Sequence, residues 1–199
     1  MNQLGPPAAL RFTADTYARL RLYVDLCPSE IGGLGEVRPE GDGLLVTDLY
    51  LLEQRVSPSE TELQPEAVLR LLHRCLEEGR DPAAVRLWWH SHADHEVEWS
   101  ETDEATIQGF GADCLISLVT NKAGDLRCRY DAWGPQRSTV DGVPVLRPEE
   151  PLRPALAADL REATWSEMVE KVSVMSRVEY VLPDGQAGEL EFLTRLDES

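Results

Sequence analysis

Trp89-His90-Ser91-His92, followed by residues 93–99 and then Ser100-Glu101-Thr102-Asp103, is the stretch on which the reading of this chain turns. Two histidines one residue apart precede, across a seven-residue spacer, a Ser-x-x-Asp. If residues 84–92 form a strand, alternation puts His90 and His92 on one face and Val85, Leu87 and Trp89 on the other, toward a core. Ser100 sits where a helix should start, with Glu101, Asp103 and Glu104 in its first turn. A strand end carrying two imidazoles beside a helix start carrying a carboxylate makes a three-ligand metal site with one position open. Two nitrogens and one oxygen in that arrangement suit a catalytic zinc better than a structural one. Taken singly, Ser100 and Asp103 also read as an ordinary capping box, and the histidines as satisfied sheet residues; the weight lies in their conjunction.

With an upstream Glu30, these residues resemble the signature of the JAMM metalloproteases of the MPN-domain fold, of the prokaryotic, deubiquitinase-like isopeptidase type. That signature is an upstream Glu, then His-x-His, seven residues and Ser-x-x-Asp, read here as Glu30, His90, His92, Ser100 and Asp103. Glu36 is the runner-up for the upstream position, but lies beyond the glycines that follow Glu30. One departure is Ala93, where the family often has Pro directly after the second His.

The rest of the composition bounds the answer. The chain has 199 residues, 42% hydrophobic, enough for one large domain or a domain with an appendage. A formal charge of −17 repels phosphate backbones and anionic membranes, so nucleic acid and membrane are not expected partners. Cys27, Cys75, Cys114 and Cys128 form no C-x-x-C pair, and residues 1–10 lack the basic start and apolar run of a signal peptide. The expectation is a reduced, cytoplasmic protein.

Along the chain, residues 13–26 read as an amphipathic helix capped by Thr13 and ended by Pro28. Glu30 and the glycines after it suit a strand whose backbone another group approaches closely. Residues 43–52 read as a buried strand after the Gly41-Asp42-Gly43 turn. Residues 53–63, polar and holding Pro58, read as a connection. Residues 65–78 predict a second helix burying Val68, Leu72, Cys75 and Leu76, with His73 at its surface. Residues 100–110 predict a short helix, and residues 114–120 and 126–133 a hairpin. Residues 134–154, rich in proline, read as a connector. Residues 155–172 read as a helix using Leu156, Leu160, Trp165, Met168 and Val172. Residues 177–182 and 188–193 read as a hairpin around Pro183-Asp184-Gly185.

This order is α/β, and it matches the MPN (cytidine-deaminase-like) sandwich of a central mixed β-sheet flanked by helices, with a C-terminal extension. The division expected is 1–137 for the catalytic domain and 138–199 for the connector, helix and hairpin. The extension carries no motif of its own; packing on the core, dimerising and holding substrate are all open to it.

The resemblance also implies a chemistry. His90, His92 and Asp103 would hold one zinc per chain, Glu30 would act as general base, and Ser100 would hydrogen-bond the developing oxyanion. The implied substrate is an isopeptide or peptide bond at the C-terminal tail of ubiquitin or a ubiquitin-like protein, a sulfur carrier included. His95, in the spacer, is read as a substrate-side or solvent residue, and Trp88 as a wall of the site. A non-catalytic MPN scaffold for protein–protein interaction is the alternative, although such relatives usually lose a metal residue. A RadC-like, DNA-linked reading is disfavoured by the acidic balance and by Ser91 and Ala93, where such chains tend to have Asn and Pro.

Overall fold

The computed structural model describes residues 5–110, 113–134, 137–150, 153–181 and 186–198. Strand β1 (Leu10–Phe12) leads into helix α1 (Ala14–Leu26), then β2 (Gly32–Glu40), β3 (Gly43–Leu51), β4 (Gln54–Ser57) and β5 (Glu60–Leu63). Helix α2 (Pro65–Glu77), β6 (Val85–Ser91), α3 (Glu101–Gly109), β7 (Cys114–Thr120), β8 (Leu126–Trp133), β9 (Arg137–Asp141) and β10 (Val145–Leu146) follow. Helix α4 (Pro154–Lys171) and strands β11 (Val172–Val181) and β12 (Ala187–Arg195) complete the described chain.

Local chemistry accounts for the element ends. Thr13 caps α1, its Oγ1 accepting from the Thr16 N–H at 3.2 Å, and the helix stops before Pro28. Gly41 takes φ 61° in the β2–β3 turn, a left-handed position that glycine adopts without the Cβ penalty.

Among the described residues, eight strands form one mixed sheet in the order β10-β1-β3-β2-β6-β7-β8-β9, and four form a second, β12-β11-β4-β5. Strand β6 is central, antiparallel to β2 with Gly32 opposite His90 and parallel to β7 with His90 opposite Val119. Helices cover both faces of the large sheet. On one, Leu87, Trp89, Ile116 and Leu118 pack with Leu20 and Tyr23 of α1 and Met168 of α4. On the other, Leu34, Trp88 and Leu115 pack with Ala67, Leu71 and Cys75 of α2 and Ile107 of α3. Trp89 is fully buried, stacked on Tyr23 with ring centroids 5.4 Å apart, its indole N–H donating to the Leu34 carbonyl at 3.0 Å. Gly33 lies under that indole, where a Cβ would run into the ring and the Tyr50 carbonyl, so this is a close approach that only glycine allows.

Several expectations are corrected. Residues 53–63 are not a plain connection but the β4–β5 hairpin, with Gln54 opposite Leu63 and Val56 opposite Thr61. Gln54 and Val56 point inward at a spacing of two, and Pro58 falls in the turn, outside the ladder. The supposed connector 134–154 contains β9, which extends the sheet beyond β8, and β10, which pairs in parallel with β1.

In α2 the buried stripe is Ala67, Leu71 and Cys75, one residue round from the one expected, leaving Leu76 exposed. Along α4, Thr164 and Met168 are buried, whereas Leu156 and Trp165 are exposed. Val85 joins the cluster opposite to that of Leu87, because the β2–β6 register slips between Gly35 and Glu36. The terminal hairpin is longer than expected, starting at Val172; Pro183, Asp184 and Gly185 lie outside the described residues. Among the described residues no helix is long and apolar enough to cross a membrane.

Candidate metal centre

The site is built where β6 ends against the start of β2. Ser91 joins the two strands: its N–H donates to the Ile31 carbonyl at 2.8 Å and its hydroxyl accepts from the Ile31 N–H at 3.1 Å. Buried Gln54 acts as a piece of backbone alongside. Its carboxamide oxygen accepts from Gly32 N–H at 3.0 Å, and its nitrogen donates to the Gly32 and Leu52 carbonyls at 2.8 and 2.9 Å. Together these fix residues 30–32, so Glu30, only 8% exposed, is held beside the His90 strand.

Asp103 arrives from α3. Ser100 is the N-cap: its Oγ accepts from Asp103 N–H at 3.1 Å, and Asp103 Oδ2 accepts from Ser100 N–H at 2.8 Å. The reciprocal capping box therefore does two tasks, starting the helix and locking the carboxylate rotamer. His90 Nε2 lies 3.0 Å from Asp103 Oδ1, His92 Nε2 lies 3.2 Å from Asp103 Oδ2, and the two ring nitrogens are 3.1 Å apart. One ligand atom from each of the three residues falls within 4.8 Å of the others.

The donor set fits a cation. His92 Nδ1 is 2.9 Å from the Glu96 carbonyl, which can only accept, so the proton of neutral His92 sits on Nδ1. Its Nε2 then points a lone pair at an acceptor-only carboxylate. Protonating both Nε2 atoms instead would set two N–H groups against each other at 3.1 Å. A metal ion bound by the two Nε2 lone pairs and the carboxylate resolves both conflicts, and the Glu96 carbonyl is the outer partner that orients His92.

Burial pushes the Asp103 carboxyl up, but the imidazoles of His90 and His92 and the Ser100 N–H beside it outweigh burial and hold the group well below the usual carboxylate range. Burial pushes Glu30 up to about 7, with Asp103 and Glu60 adding to the rise and His92 opposing it. A carboxyl raised in the folded state contributes stability that is full below its unfolded value and lost as pH rises through about 7. In chelator-treated protein, Glu30→Gln is therefore expected to equal wild type near pH 4.5 and to exceed its stability by about 2 kcal/mol at pH 8. Urea melts at the two pH values test this; no change of the difference with pH contradicts it.

A cavity of about 190 Å³ opens onto the group, lined in part by Glu30, Glu60, Thr61, Trp88, His95 and Ser100. Trp88 stacks on His90 at 4.4 Å and forms one wall. His95 lines the cavity from an exposed position, and His73 is exposed on α2. Glu36 lies elsewhere, paired with Arg80 at 2.8 Å and Tyr50 at 3.0 Å.

After His92 the backbone turns at Ala93 with φ 44°, and the Ala93 carbonyl accepts from Lys122 N–H at 2.8 Å. Proline is fixed near φ −65° and cannot take this conformation, so the departure noted in the sequence has a backbone counterpart. Ala93→Gly should raise stability by about 0.5–1 kcal/mol, since the left-handed position penalises a Cβ and glycine gives back part of the gain as chain entropy. Thermal denaturation checks this, and a destabilised variant would contradict it.

Two supports escaped the sequence reading. One is Gln54. The other is a charged network behind α3: Arg129, buried, forks onto Asp131 at 2.6 and 3.2 Å and onto Glu104, which neighbours Asp103. The strand gives no signal of this, since Arg127, Arg129 and Asp131 alternate with Cys128 and Tyr130 as a solvent face would.

Fold and site together define a mixed α/β protein with helices on both faces of a large sheet and a buried His-His-Asp group able to hold a metal ion. No protein-family model and no curated protein matches the chain. Among solved structures, the solution structure of protein DSY2949 from Desulfitobacterium hafniense is similar, with a TM-score of 0.51 and 19% identity over 71% of this chain and 94% of that one. At that identity the likeness is one of fold.

Proposed function

We propose that the chain is a zinc-dependent metallopeptidase of the JAMM type on an MPN fold. Its substrate would be an isopeptide or peptide bond at the C-terminal tail of ubiquitin or a ubiquitin-like protein, such as a sulfur carrier. The observation that carries this reading is the convergence of His90, His92 and Asp103 on one point of a cavity that Glu30 also lines.

Zinc held by those three residues would supply Lewis acidity and bring the pKa of water towards neutrality. Glu30 takes the proton of the attacking water and returns it to the leaving amine, from a position lining the same cavity as the three ligand residues. Ser100 spends its oxygen lone pair on the Asp103 N–H, which leaves its O–H to donate to the developing oxyanion, a contribution of about 3–4 kcal/mol to the barrier. Strand β5 is the outer strand of its sheet among the described residues, and Thr61 on it lines the cavity. An extended, glycine-rich tail can add there as a further strand, with main-chain hydrogen bonds supplying affinity. The acidic charge complements a basic ubiquitin-like surface.

The test is release of a fluorophore or partner from the C-terminus of a panel of ubiquitin-like proteins. Cleavage that stops with a chelator and returns with zinc supports the reading. No cleavage of any member by zinc-loaded protein moves the weight to a binding scaffold.

A further inference from the structure

The terminal hairpin presents an unusual surface. In the β11–β12 ladder, Val174 faces Thr194, Ser176 faces Phe192, Val178 faces Leu190 and Tyr180 faces Gly188. Directly opposed residues share a face, so Val178, Tyr180, Leu190 and Phe192 lie on one side of the hairpin. They are 38–50% exposed and form an apolar strip continuous with buried Val174. The other face mixes exposed Val181 and Leu193 with charge at its middle, where Arg177 bridges Glu189 at 3.4 Å and Glu191 at 3.1 Å. Strand β12 is moreover the edge of its sheet among the described residues. A long edge strand with an apolar face is a template for pairing unless charge or proline blunts it.

We propose that β12 pairs with β12 of a second copy, antiparallel about a two-fold axis at Phe192, joining two four-stranded sheets into one of eight. Charge selects both the occupant and the register. An antiparallel pair centred on Leu190 opposes Glu189 to Glu191, and one centred on Glu191 opposes that carboxylate to itself; directly opposed like charges are destabilising. Centring on Phe192 instead sets Glu189 opposite Arg195 twice, Glu191 opposite Leu193 and Leu190 opposite Thr194. Centring on Leu193 also opposes no two carboxylates within β12, setting Glu191 opposite Arg195 twice, but it pairs only Glu191–Arg195 of each strand and so shortens the overlap.

The Phe192 register is thus the longest that opposes no two carboxylates, and it joins the two apolar strips edge to edge. The present partners of Glu189 and Arg195 do not compete strongly. Arg177 keeps Glu191, and the Arg195–Asp197 contact is a 4.0 Å surface pair. The symmetric contact is isologous, closing at two copies. The other end of the same sheet is β5, at the candidate metal centre, so pairing at β12 leaves that edge accessible.

The experiment is sedimentation equilibrium of the full chain across a concentration series, with variants on the exposed face. Wild type should be a monomer–dimer equilibrium. Glu189→Arg should weaken the dimer about tenfold, and so should Arg195→Glu, since each turns two attractive contacts repulsive. The double exchange should restore wild-type association, and Phe192→Lys should give monomer. All four should keep the wild-type metal content and, at concentrations low enough that wild type is itself monomeric, its melting temperature, which separates lost association from lost folding. A wild type that stays monomeric at every concentration overturns the proposal, and leaves the apolar strip to a different protein. A dimer indifferent to Glu189→Arg and Arg195→Glu, or not rescued by the exchange, overturns it as well. Neither result bears on the metal centre.

Discussion

Glu30→Gln is expected to keep one zinc per chain and to lose hydrolysis by about a hundred- to ten-thousandfold, the usual contribution of a positioned general base. The substitution preserves volume and removes only the capacity to take a proton. Glu30 contributes no ligand atom to the His90–His92–Asp103 group, so metal content should not change. Its position is set from the backbone, through Ser57, Ile31 and Gln54, rather than by its own carboxylate, so the fold should tolerate the amide. The burial that raises its pKa to about 7 also makes the neutral amide acceptable there. Equal zinc with a rate within a few-fold of wild type would remove Glu30 from the chemistry. Loss of zinc would instead make it a ligand.

The largest structural effect is expected from Asp131→Ala, at about 3–5 kcal/mol of stability. Asp131 is fully buried and takes both ends of the Arg129 fork, with Thr139 donating to it at 2.6 Å and Arg137 at 3.5 Å. Removing it leaves Arg129 buried with only the partly exposed Glu104 to balance its charge, which is dearer than never having built the pair. The melting temperature should fall on the order of 10 °C for a chain of this size. The consequence reaches the site, because Arg129 ties β8 to Glu104 and so steadies the α3 turn that carries Asp103. Zinc affinity should drop about tenfold, as for loss of an outer support of a metal ligand. A variant melting within a degree or two of wild type would show that the network is not holding α3.

The parts of this molecule that could be read from the chain are those where one local rule decides. Thr13 capping α1, Ser100 with Asp103 at α3, and the apolar run of β7 each state their structure within a few residues. The candidate metal residues were legible for the same reason: a strand end and a helix cap present side chains in directions that spacing alone fixes. What was not legible depends on partners far along the chain. The hairpin 54–63 looks polar because one of its two inward residues in β4 is Gln54, whose amide is satisfied by Gly32 and Thr61 rather than by burial among apolar groups. The α2 stripe was misplaced because Leu69, Leu72 and Leu76 outnumber the residues the sheet accepts, and only the packing face separates Leu71 from them. The slip at Gly35/Glu36, which sends Val85 to the other core, has no signal in β6 itself. Arg129 and Asp131 read as surface charge until β9 and α3 are folded over them.

The measurement that bears most directly on the central claim is zinc stoichiometry by elemental analysis, for wild type and for His92→Ala and Asp103→Ala, after equal exposure to metal. Wild type is expected to hold one zinc per chain and either variant little, with all three folded by circular dichroism at low temperature. Wild type without zinc, or zinc held equally by all three, would contradict a metal centre at His90, His92 and Asp103.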